Sequence, residues 1–261
     1  MNMTNNTVLI TGGGSGIGRG LAEAFHKLGN QVVIAGRGQK RLDEVTAANP
    51  GMRSLTVDMG DVDSIRSFAA RVTADFPALD AVVHMAGVMK PENLLAQQES
   101  LADAEATVAT NLLGPIRLTA ALLPHLLERP AATIMTVSSG LAFVPLATTP
   151  TYCATKAAVH SYTQSLRYQL KGTSVRVVEL IPPYVATTLT GPQQATDPLA
   201  MPLDAYLAEV MQILTDEPDA TEVNVKRVHP LRYATDRGHA EYDKFFETFN
   251  DQMATARAKP H

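Results

Sequence analysis

The strongest constraint on how this chain can fold is a glycine-rich turn, TGGGSGIG at residues 11–18, set between a short β-branched run and a helical pattern. TVLIT (7–11) leads into the turn and RGLAEAFHKLG leads directly out of it. Gly12, Gly16 and Gly18 stand where a tight bend, the close approach of a pyrophosphate and close helix–strand packing each favour a residue without Cβ. Gly14, Ser15 and Ile17 complete the loop. The free N–H groups and positive dipole end of the following helix suit phosphate oxygens. A strand–turn–helix unit that binds a dinucleotide is therefore the first expectation.

The same alternation continues down the chain. QVVIA (31–35), SLTVD (54–58), DAVVHMA (80–86), ATIMTV (132–137) and SVRVVEL (174–180) are apolar almost throughout. Such runs mark strands covered on both faces of a parallel sheet. Helical patterns lie between them at 17–28, 39–48, 61–75, 100–127 and 151–171, and Gly29 stands where a C-terminal cap closes the first. With no repeat or linker, this predicts an α/β single domain over residues 1–261: a Rossmann-type, doubly wound parallel sheet with helices on both faces. Residues 183–203, with four prolines, are expected to form an irregular substrate loop, and the charged, aromatic stretch at 237–256 a surface helix.

Composition narrows the partners. A net charge of −4 without a basic cluster argues against nucleic acid. One cysteine, Cys153, allows no intrachain disulfide and fits a reducing compartment. The polar, uncharged start MNMTNN is not a secretory leader pattern, and no apolar run of roughly 18–20 residues suggests a membrane span. A soluble cytoplasmic protein is expected. The seven histidines show no metal-ligand spacing, so no metal is expected.

Cofactor choice is written at the end of the second strand, IAGRG. Dinucleotide folds often carry an acid there, about 20 residues past the turn, for the adenosine ribose. Gly36 takes that place and Arg37 follows. With no carboxylate to repel a 2′-phosphate and a guanidinium to grip one, NADP(H) is expected. Lys40 and Arg41 are additional candidates.

Further along stand VSSG (137–140) and YCATK (152–156), which put Tyr152 thirteen residues after Ser139 and Lys156 four after Tyr152. Joined to the glycine turn, Asp58, HMAG (84–87), Asn111 in TNLLG and PPYVAT (182–187), they closely resemble the short-chain dehydrogenase/reductase family over roughly residues 7–190. Within it the chain looks most like a subgroup labelled after a lipoteichoic-acid operon, a label that names no reaction. The spacing has a chemical reason. Free tyrosine, with a pKa near ~10, is a poor base at neutral pH. A lysine at i+4 lies on the same helix face, and its charge stabilises phenolate. Bringing the phenol to about 7 takes roughly 4 kcal/mol.

The resemblance implies that Tyr152 is the general acid/base and that Lys156 supports it and holds the nicotinamide ribose. Ser139, rather than Ser138, would hydrogen-bond the substrate oxygen, and Asn111 would hold a proton-relay water. It further implies cofactor contacts at Asp58, Met59, Ala86, Gly87, Pro182 and Val185, with Thr187 on the carboxamide. The implied reaction interconverts a carbonyl and an alcohol on a small, largely uncharged substrate. The same residues also suit an imine or activated C=C substrate, while a non-catalytic NADP(H) sensor would have no need of Ser, Tyr and Lys together. Three departures stand out. HMAG replaces the usual paired asparagines, Pro182–Pro183 replaces Pro-Gly, and the Asp-Gly-Gly ending used in the family's tetramer is missing. A homodimer through helices at 103–127 and 152–170 is expected instead, with a seventh strand within 221–228. Residues 184–203 are expected to act as a lid, with Tyr184, Leu189 and Leu199 covering an apolar group.

Overall fold

A computed structural model describes residues 2–96 and 101–258. The first half runs β1 (Thr7–Thr11), α1 (Gly16–Lys27), β2 (Gln31–Gly36), α2 (Gln39–Ala48), β3 (Arg53–Thr56), α3 (Val62–Asp75) and β4 (Leu79–His84). The second runs α4 (Ala102–Val108), α5 (Gly114–Leu127), β5 (Ala132–Val137), α6 (Pro150–Gln169), β6 (Val175–Leu180), α7 (Leu203–Asp216), β7 (Glu222–Val223), α8 (His229–Arg232) and α9 (His239–Ala258). The strands form one sheet in the order β3-β2-β1-β4-β5-β6-β7, and each neighbouring pair is parallel. The doubly wound, Rossmann-type expectation holds.

Its apolar strands are explained by two cores. Val8, Ile10, Val32 and Ile34 face one side, where they bury Leu21, Phe25 and Leu42 of the first two helices and Tyr206 and Val210 of α7. Leu9, Val33, Val82 and Ile134 face the other, against Ile65, Phe68, Leu118, Leu122 and Leu166 of α3, α5 and α6. Each fully buried leucine stabilises the fold by about 2 kcal/mol, so the sheet between these layers is a rigid platform for whatever its strand ends carry.

The structure departs from the sequence expectations in several places. The long helix at 100–127 is interrupted by a π-turn, Ala109–Leu113, between α4 and α5. Such bulges recur at functional sites, and buried Asn111 sits on this one. Taken together, Ala102–Leu127 is the one stretch among the described residues long and apolar enough to cross a membrane. Yet Leu118, Leu122 and Leu126 are fully buried in the sheet's second core, as a core helix requires.

Residues 183–203 are more ordered than an irregular loop. Val185 bridges to Met201, and the backbone pairs Ala186 N with Met201 O and Met201 N with Tyr184 O, both at 2.8 Å. A 3₁₀ turn spans Pro192–Thr196. Buried Gln194 fastens the segment, accepting from Thr190 N and Oγ1 at 2.9 Å and donating to Val185 O at 2.8 Å. These are polar side-chain bonds, which leave no apolar period to read. Helix α7 follows, where the sequence pattern predicts no helix. Its Tyr206, Val210 and Leu214 recur four apart and are buried. The seventh strand exists but is only two residues long, ending before a 3₁₀ turn at Lys226–Val228.

Candidate active site

The sheet order reverses between β1 and β4, where parallel α/β sheets open a crevice beyond their strand ends. Here that crevice is a cavity of about 370 Å³. Gly12 follows β1, Met85–Gly87 follow β4, Ser138 and Ser139 follow β5 and Pro182 follows β6, and all of them line it.

Helix α6 delivers the two residues of the Tyr–Lys motif. Pro150 starts the helix, so Tyr152 lies in its first turn and Lys156 one turn later. The carboxylate of Glu92 secures this end by accepting from Thr151 N at 3.0 Å and Thr151 Oγ1 at 2.8 Å. Lys156 Nζ donates to Val137 O at 2.8 Å and lies 5.6 Å from the Tyr152 ring centroid. The two serines are separated by geometry. Ser139 stands beside the Tyr152 hydroxyl, where it favours the ionised phenol, and accepts from Leu141 N at 3.1 Å. Ser138 turns away and donates to Glu179 Oε1 at 2.5 Å.

Asn111 makes a two-way clamp with Val88: its Oδ1 accepts from Val88 N and its Nδ2 donates to Val88 O, each at 2.8 Å. The side chain therefore ties the π-turn to the segment after β4. Gly87 lies against it, and a Cβ there would come within 3.3 Å of Asn111 Oδ1 and 4.0 Å of Lys156 Nζ.

Burial shapes the titration of this end. Removal from water pushes the Tyr152 phenol well above its ordinary value, with Ser139 opposing. The same effect pushes the Lys156 ammonium down to about 8, against the pull of Glu179. The phenol is thus held as a proton donor, and its ionisation requires positive charge alongside it.

At the other end, the glycine turn is a cradle of bare backbone. Gly12 and Gly16 adopt φ of +71° and +53°. A Cβ on Gly12 would lie 2.9 Å from the Ala86 backbone, and one on Gly18 only 2.3 Å from Gly12 O. Ser15 makes no side-chain cap on α1 and the first turn carries no acid, so the helix N–H groups are left to an anion. Ile17 and Thr187 line the same wall. These features fit the pyrophosphate and nicotinamide of a dinucleotide.

The adenosine end is placed less simply. Arg41, on α2, lines the cavity, and a Cβ on Gly14 would lie 3.5 Å from Arg41 Cβ. Arg37 is exposed just beyond β2. Asp58 accepts from Gly60 N at 2.8 Å. Met59 is buried against Gly114, where a Cβ would meet Met59 O at 2.6 Å. Arg37, Asp58 and Met59 are not among the cavity-lining residues, whereas Val185 is. His84, at the end of β4, binds Thr119 Oγ1 through Nε2 at 2.9 Å. Burial lowers its pKa to about 4, leaving a neutral structural imidazole.

A model of the short chain dehydrogenases matches residues 6–198. This chain belongs to the short-chain dehydrogenase family. An uncharacterized oxidoreductase of Bacillus subtilis (strain 168), DltE, is 39% identical over 255 residues, covering 97% of this chain and 99% of its own. Among solved structures, the closed form of a serine dehydrogenase complexed with NADP+ is 27% identical at a TM-score of 0.73, over 80% of this chain and 89% of its own. A short-chain dehydrogenase from Burkholderia phymatum in complex with NAD shares the fold, with 21% identity and a TM-score of 0.75 over 94% and 96% of the two chains.

In this short-chain dehydrogenase the outer half of the cavity is what the sequence reading missed. Helix α9 does not merely lie on the surface, because its Phe249 and Met253 line the cavity and pack with Leu146, Tyr152 and Cys153. Two side chains lash the helix to the loop after β5. Tyr242 Oη donates to Phe143 O at 3.1 Å. Asn250 accepts from Ala147 N at 2.7 Å and donates to Pro145 O at 3.1 Å. Met89, Leu141 and Leu231 complete this apolar wall. Tyr184 and Leu189 line it as expected, but Leu199 is 47% exposed and lies outside.

Proposed function

We propose that this short-chain dehydrogenase interconverts a carbonyl and an alcohol on a small, largely uncharged substrate, using NADP(H). The observation that carries the reading is one cavity with a backbone cradle at one end, an apolar chamber at the other, and Ser139, Tyr152 and Lys156 between them. NADP(H) supplies or accepts the hydride. Ser139 orients the substrate oxygen, and Tyr152 gives that oxygen its proton during reduction or takes it during oxidation. Lys156 places positive charge beside the phenol, and Asn111 holds the water through which Lys156 is resupplied. Phe249 and Met253 exclude water and favour an apolar substituent.

Preference for NADP(H) rests on Gly36, where no carboxylate opposes a 2′-phosphate, and on the nearby guanidinium groups of Arg37 and Arg41. A structural relative that binds NADP+ supports the same choice. A panel of aldehydes and ketones, followed by nicotinamide absorbance with each cofactor, tests the reading. kcat/KM should favour NADPH by about 10–100-fold, the worth of one or two charge-assisted hydrogen bonds. The double substitution Arg37→Ala/Arg41→Ala should remove most of that preference. A wild-type enzyme favouring NADH, or consumption of no carbonyl in the panel, would overturn the proposal.

A further inference from the structure

Behind the catalytic end lies a buried polar cluster to which the reaction above gives no role. Glu179 stands fully buried on β6, flanked by Val178 and Leu180. A carboxylate so placed costs several kcal/mol unless well partnered. Ser138 Oγ donates to its Oε1, and His160 Nδ1 donates to both carboxylate oxygens at 2.9 Å. His160 lies one turn beyond Lys156 on α6, steadied by the edge-on ring of Phe143 at 4.7 Å.

The chain path brings this carboxylate close to the catalytic lysine. Lys156 Nζ is bonded to Val137 O. Val137 lies between Ser138, which donates to Glu179, and Thr136, the register partner of Glu179. The charge of Glu179 opposes the effect of burial on Lys156. On the far side, Glu222 of β7 is gripped by Arg232 of α8 through two bonds of 2.9 Å. Ligand atoms of His160, Glu179 and Glu222 lie within 4.8 Å of one another, but Arg232 already neutralises Glu222. The titratable and charged groups facing Glu179 are therefore Lys156 and His160 from α6, Glu222 from β7 and Arg232 from α8.

We propose that Glu179, held by His160 and Ser138, is a positioning residue for Lys156, a buried counter-charge that keeps the ammonium in place and charged beside Tyr152. The importance of this for turnover rests on the reading of Tyr152 and Lys156 as the proton-handling pair. The electrostatic claim can be tested without any substrate. Removing a nearby negative charge favours the neutral amine, so the titration midpoint of Lys156 must fall.

The measurement is an NMR titration of protein labelled with ¹³Cε-lysine, with the Lys156 signal identified by its loss in Lys156→Met. The wild-type midpoint is expected near 8. Glu179→Gln should lower it by about one pH unit, while Glu179→Asp, which keeps the charge, should stay near wild type. If Glu179→Gln does not fold, the double variant Glu179→Met/His160→Leu takes its place, since apolar replacement of both buried partners is often tolerated. It must show the same downward shift. An unchanged midpoint in either folded neutral variant, or equal shifts in Glu179→Gln and Glu179→Asp, would overturn the inference. Activity retained by Tyr152→Phe would instead remove the proton-pair reading and leave the midpoint shift standing, so the two failures are distinguishable.

Discussion

Around Gly12–Gly18 the cavity is walled by backbone, whereas around Phe249 it is walled by side chains from four separate parts of the chain. In the first region seven consecutive residues carry the geometry, and the absence of side chains is the design. In the second, Met89, Leu141, Leu231, Phe249 and Met253 meet only after the sheet has assembled. A backbone cradle tolerates almost no substitution but suits a constant ligand. A wall of apolar side chains tolerates exchange and can be retuned to different substrates. The contrast predicts that mutations will divide cleanly, the first region governing cofactor binding and the second governing substrate selection.

Between these two regions the larger effect should come from Gly18→Ala. The new Cβ would meet Gly12 O at 2.3 Å, and neither atom is the end of a flexible side chain. The turn must shift, and overpacking of this kind costs about 1–3 kcal/mol in stability. Displacing a cradle by about 1 Å should lower NADPH affinity on the order of 100-fold. A fluorescence titration with NADPH and a thermal melt would check both. Near wild-type binding would break the claim that bare backbone forms the cradle.

A smaller effect is expected from Phe249→Ala/Met253→Ala in α9. Removing apolar contacts of this size should reduce kcat/KM for the best apolar substrate by about 10–100-fold. NADPH affinity should stay near the wild-type value, because these residues lie at the far end of the cavity. Equal losses for substrate and cofactor would blur the division, and no loss for either would remove α9 from the site.

The same contrast explains what could be read in advance. The strands were visible because burial on both faces makes them apolar runs, and the glycine turn because its spacing is local. Tyr152 and Lys156 were visible because four residues is one helical turn. Phe249 was not, since Ala147 and Asn250, the pair that docks its helix, are 103 residues apart in sequence. α9 itself reads as a charged surface helix. Glu179 was hidden in a different way. It sits in an apolar strand whose pattern predicts a core residue, and its partners come from the turn after β5 and from α6. A carboxylate where the pattern calls for valine is a conflict between local and global preference, and such conflicts concentrate at functional sites.

The central claim is that the Tyr152 hydroxyl moves the proton that accompanies hydride transfer. Tyr152→Phe keeps the ring, which is buried with Leu146 and Cys153, and removes only the ionisable oxygen. Steady-state turnover of the best carbonyl substrate, measured beside NADPH affinity, tests the claim most directly. The expected result is a fall in kcat of about 10²–10⁴-fold with NADPH binding essentially unchanged. Turnover near the wild-type rate, with the cofactor bound as tightly as before, would contradict it.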